Sequence, residues 1–136
     1  MFTLLRTRLD LYMLRKNIGM VFPKSACLQI LQPGFTFVGS ETEYWIKATM
    51  DKEDLSVFFN NVDIGLSQYQ ILTTGNPAEK VGSPIATYAV KLGWHPERCK
   101  KYLVAEWLVR RDDVGTVLVH LDEPNVVTVY IYVFYF

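Results

Sequence analysis

The chain has little of what announces a biochemical function. Only two of its 136 residues are cysteine, Cys27 and Cys99, too few for the disulfide framework that holds small secreted domains together, so both read as free thiols. No apolar run approaches the ~20 residues that a membrane-spanning helix needs. Charges break up the N-terminal stretch, and the run Val126–Phe136 is too short. The arginine-containing start offers neither the apolar stretch nor the small-residue cleavage site of a secretory signal, which makes the cytoplasm the expected compartment. Charge of either sign is not in excess. Fourteen basic residues balance fourteen acidic ones, whereas nucleic-acid binding draws its affinity from a clustered basic surplus that releases counterions. A nucleic-acid partner is therefore not expected.

Motifs of chemistry are equally scarce. No Gly-x-Ser-x-Gly elbow is present to raise a nucleophilic serine. The glycine-containing stretches Gly75-Asn76-Pro77 and Gly82-Ser83-Pro84 lack the Gly-Lys-Ser/Thr ending that supplies a phosphate loop with its charge and metal ligand. The paired carboxylates Glu53–Asp54, Asp112–Asp113 and Asp122–Glu123 fall where helices begin or turns form, which accounts for them without acid–base catalysis. His95 and Cys99 stand four apart, with His120 and Cys27 elsewhere. A zinc site asks for four nitrogen or sulfur ligands, usually in close pairs, and Pro96 after His95 fits a helix start better than a ligand pair. Cys99 precedes Lys100 and Lys101, cations that can lower a thiol pKa, and His95 could serve as its base one helical turn away. No third group to orient that base can be named. No residue is assigned as catalytic, cofactor-binding or metal-ligating, and no cofactor is called for.

What is present is the material of a core. Half of the residues are hydrophobic and 14% aromatic, and a chain of this length buries roughly two thirds of the surface its unfolded form exposes. Residues 1–17 read as an N-terminal helix, with apolar Leu4, Leu5, Leu9, Leu11, Tyr12 and Met13 among Arg6, Arg8, Arg15 and Lys16. Such a helix either packs on the domain or lies on an anionic membrane surface, and packing is the expectation. Residues 18–136 read as a single α+β domain. Met20–Phe22 is a short strand or linker, Ala26–Leu31 and Phe35–Val38 flank a Pro33–Gly34 turn, and Tyr44–Met50 alternates as a half-buried strand. Asp51 is placed to cap a helix running to Val62, with Leu55, Phe58, Phe59 and Val62 as its apolar stripe. Residues 65–83 form a long loop with a short strand at Tyr69–Thr73, and Pro84–Leu92 a short helix. Strands at Lys101–Val109, Thr116–Leu121 and Val126–Phe136, joined by polar turns, make a C-terminal three-stranded meander. In the last of them Tyr130, Tyr132, Phe134 and Phe136 share one face and Val127, Val129, Ile131, Val133 and Tyr135 the other, so both faces require cover. The expected architecture is an antiparallel sheet of about five strands with two or three flanking helices.

Phe22-Pro23-x-Ser25-Ala26, Trp45-Ile46-Lys47-Ala48, Asp54-Leu55-x-x-Phe58-Phe59, Trp94-x-Pro96 and the terminal Val129-Tyr130 resemble segments of small uncharacterised bacterial proteins, many of them membrane-tethered lipoproteins. The resemblance covers roughly residues 20–136. It implies an α+β domain without an assigned catalytic residue, and this chain departs from it in lacking a lipobox. The functional expectation is a non-enzymatic binding or structural module, such as a small bacterial accessory or immunity-type protein, with another protein or a second copy of the chain as partner. The alternatives are a thiol-dependent enzyme or hydrolase centred on Cys99 and His95, and a peripheral membrane-associated protein.

Overall fold

The computed structural model describes residues 11–12, 14–16, 20–31, 42–61, 69–72, 93–95, 98–108 and 114–135. Their strands are β1 (Cys27–Leu31), β2 (Thr42–Asp51), β3 (Tyr69–Leu72), β4 (Tyr102–Leu108), β5 (Val114–His120) and β6 (Val126–Tyr135). They form one sheet in the order β1-β2-β6-β5-β4-β3, and every ladder is antiparallel. The fold is α+β, with six strands among the described residues where about five were expected. The readings at Phe35–Val38 and Pro84–Leu92, and most of the loop 65–83, lie outside the described residues. Met20–Phe22 is a connection and not a strand.

Two short-range expectations change in the tertiary setting. The helix anticipated from Asp51 to Val62 opens as a 3-10 turn at Lys52–Asp54 and continues as helix α1 at Leu55–Asn61. Asp51 stays extended as the last residue of β2 and makes no side-chain cap. Ser25 intervenes from the segment before β1: its hydroxyl accepts from the Asp51 amide at 3.2 Å and donates to the Asp54 carboxylate at 2.6 Å. The Lys52 amide donates to the carbonyl of Asn125, ahead of β6. Backbone donors at a helix start need partners, and here two other parts of the chain contribute to the local bonding.

The alternation along the strands sorts side chains onto two faces. Ile46, Ala48 and Met50 of β2 pair in register with Ile131, Val129 and Val127 of β6, and Val117 and Val119 of β5 continue the row. Phe58 and Phe59 of α1, Met20 and Leu14 close over this face, and all of these side chains are buried in one cluster. Leu14 belongs to the N-terminal helical stretch and is completely buried, so that stretch is packed on the domain here. The opposite face carries a second cluster of Trp45, Tyr130, Leu118 and Tyr102, with Trp94 and Cys99 laid over it. Tyr44–Met50 was expected to be half-buried, yet Trp45, on the face opposite Ile46, Ala48 and Met50, is also buried, against Tyr132, with ring centroids 5.2 Å apart.

Candidate functional site

The titratable groups singled out by the sequence gather partly where the 98–101 segment meets the β5–β6 turn. Cys99 is buried, and its Sγ donates to the Lys101 carbonyl at 2.8 Å. The same carbonyl accepts from the Leu121 amide, also at 2.8 Å. Asp122 then reaches back: its carboxylate accepts from the Lys100 amide at 3.1 and 3.0 Å and from the Lys101 amide at 2.7 Å. Successive amides converging on a carboxylate make a small anion cradle, and Asp122 fills it from within the chain.

The electrostatics follow from that geometry. The Lys100 and Lys101 amides, which bond only the charged form well, hold the Asp122 carboxyl below its ordinary value. Burial pushes the Cys99 thiol up to about 11, with the Asp122 charge acting in the same direction and the backbone bonds to Leu121 and Lys101 opposing it. A nucleophilic cysteine needs the reverse, a thiolate stabilised near neutrality. The lysines flanking Cys99 enter through their backbone amides, which bind Asp122.

The other candidates are dispersed. The His95 side chain is exposed while Cys99 is buried, and the Arg98 amide donates to the His95 carbonyl. His120 lies beside Tyr130 on the aromatic face, ring centroids 5.0 Å apart. Cys27 is an exposed free thiol on β1 and Cys99 a buried one. Among the described residues no three His, Cys, Asp or Glu side chains converge as a metal site. Asp54 is engaged by Ser25, and Asp112–Asp113 lies outside the described residues, as do both glycine-containing stretches. No helix of the described residues is long and apolar enough to cross a membrane.

Sequence reasoning missed the partnership of Asp122 with residues 100 and 101, because a carboxylate in a turn gives no sign of which distant amides it will meet. It also missed Trp94, whose indole lies 5.5 Å from the Tyr130 ring and donates to the Gln29 side chain at 3.3 Å. The Lys47 ammonium lies 5.8 Å from the Tyr130 centroid. These groups tie β1, β2 and β6 to one another beneath Trp94. No family model, curated protein or solved structure matches the chain.

Proposed function

We propose that the protein is a non-enzymatic binding or structural module whose partner is another protein or a second copy of the chain. The observation that carries this reading is the bonding of Cys99 and Asp122: the thiol and carboxylate best placed for chemistry are spent on fastening backbone. The thiol is covered and bonded to the Lys101 carbonyl, and the carboxylate accepts from two consecutive amides. The successive antiparallel pairings of β4 with β5 and β5 with β6 support reading the C-terminal strands as a three-stranded meander, a rigid scaffold of the kind on which binding surfaces are displayed.

The test is alkylation of the native protein by iodoacetamide, followed at Cys99 by peptide mass spectrometry. Slow reaction at neutral pH, accelerated only by denaturant, is the expected result. Rapid modification of Cys99 at about pH 6, where an ordinary thiol is almost wholly protonated, overturns the reading in favour of a thiol enzyme.

A further inference from the structure

The N-terminal helical stretch and the connection Met20–Phe22 leave a groove of about 320 Å³ lined by Leu11, Tyr12, Arg15, Met20, Val21 and Phe22. That is the size of a small binding pocket. Its floor is fixed. Met20 is buried, its amide donates to the Leu14 carbonyl, and Phe22 is stacked on Phe58 of α1 with ring centroids 5.1 Å apart. Its rim is apolar yet open: Tyr12 is 58% and Val21 38% exposed, two of the four large hydrophobic side chains that the described residues leave to solvent. Among the described residues that line the groove, the charged side chain is basic. Arg15 is exposed and lines the groove, and the Lys16 ammonium stands 5.9 Å from the Tyr12 ring centroid.

We infer that this groove is a docking site for an acidic, amphipathic segment of a partner protein, which would seat an apolar side chain between Tyr12, Val21 and Phe22 and set a carboxylate against Arg15. Charge complementarity selects an acidic occupant. Leu14 selects a protein over a lipid surface: a helix binds a membrane by inserting its apolar face, and here Leu14 is already committed to the core. What remains open is the groove between Tyr12, Val21 and Phe22. The proposal deepens the reading of the protein as a binding module and rests on it.

The probes are a blocked Glu-Leu-Phe-Glu peptide and its Lys-Leu-Phe-Lys counterpart, each titrated at low salt into the isotope-labelled full chain with amide shifts read by NMR. The expected result is saturable shifts centred on Tyr12, Arg15, Val21 and Phe22 with the acidic peptide, at affinities of about 1 mM or tighter, and none with the basic one. Arg15→Glu should weaken the acidic peptide about five- to tenfold, and Tyr12→Ser should weaken it while leaving the melting temperature unchanged. Equal shifts with both peptides, shifts centred elsewhere, or no saturable shift overturn the proposal. So does co-sedimentation with phosphatidylserine vesicles that Arg15→Glu abolishes, which assigns the groove to a membrane surface. Failure here is separate from failure of the module reading, which is decided by the reactivity of Cys99.

Discussion

The thiol of Cys99 and the carboxyl of Asp122 depart from their ordinary values in opposite senses, and each displacement sets a pH dependence of stability. Asp122 is lowered from 3.8 in the folded protein, so its contribution is present above that value and is lost as pH falls through the lower folded one. Asp122→Asn keeps one acceptor oxygen but not the charge. It should cost about 1 kcal/mol, the yield of a hydrogen-bond pair on a solvent-screened carboxylate. The urea midpoints of wild type and variant should converge as the pH is lowered through 3.8 and below; a gap of constant width would show that the carboxylate contributes nothing through its charge. Cys99 is raised from 9.0 to about 11. Its contribution is complete below 9.0 and is lost as pH rises through the folded value. Wild type should therefore lose an increment of stability across that alkaline window that Cys99→Ala does not, read from the same urea titrations.

Among the elements, β6 holds the sheet together. It pairs along its whole length with β2 from Asp51↔Val126 to Thr42↔Tyr135, and with β5 from His120↔Thr128 to Val114↔Phe134. Ile131 lies in register with both Ile46 and Val117 and is almost wholly buried, so Ile131→Ala should cost about 2–5 kcal/mol, measured by urea unfolding. That is a large part of the ~5–15 kcal/mol that holds a domain folded. Deleting residues 126–136 removes both ladders and should leave an insoluble product; a folded, monomeric truncation by circular dichroism and light scattering would instead assign the strand to a dimer interface. The existence of β2 and β6 was legible in the sequence because both signals are local: alternation in β2, carried by Ile46, Ala48 and Met50, and in β6 a continuous β-branched and aromatic run that follows a turn. The failure at Asp51 was not legible: its amide is satisfied by Ser25, 26 residues away in the chain, and propensity carries no record of such a partner. The cover over Trp45 was equally illegible, since the half-buried strand gains its second buried face from aromatic neighbours such as Trp94 and Tyr130. The candidate site was legible as residue types only. Cys99 and His95 are close in sequence, but the burial that raises the thiol, and the Asp122 carboxylate that adds to it, come from other parts of the chain.

At the scale of the whole molecule, the helical turn around Leu14 is part of the domain's cover rather than an appendage to it. With Leu14 buried against the sheet and α1, the protein should show no appreciable co-sedimentation with phosphatidylserine vesicles at low salt. Removal of residues 1–16 should lower the melting temperature, because it uncovers the core beside Met20. Binding to vesicles that disappears with that truncation would show that the helix leaves the domain to meet lipid.

The order β1-β2-β6-β5-β4-β3 has a consequence in time as well as in space. During synthesis β1 and β2 emerge early and can form a hairpin, and β3, β4 and β5 can pair later as a second unit. The strand that must lie between the two units follows both in the chain. Until β6 leaves the ribosome, β2 and β5 each present an unpaired ladder edge, the kind of surface that templates mispairing between chains. Assembly of the complete sheet therefore waits for that strand, and a chain stalled before Val126 would hold both half-sheets open.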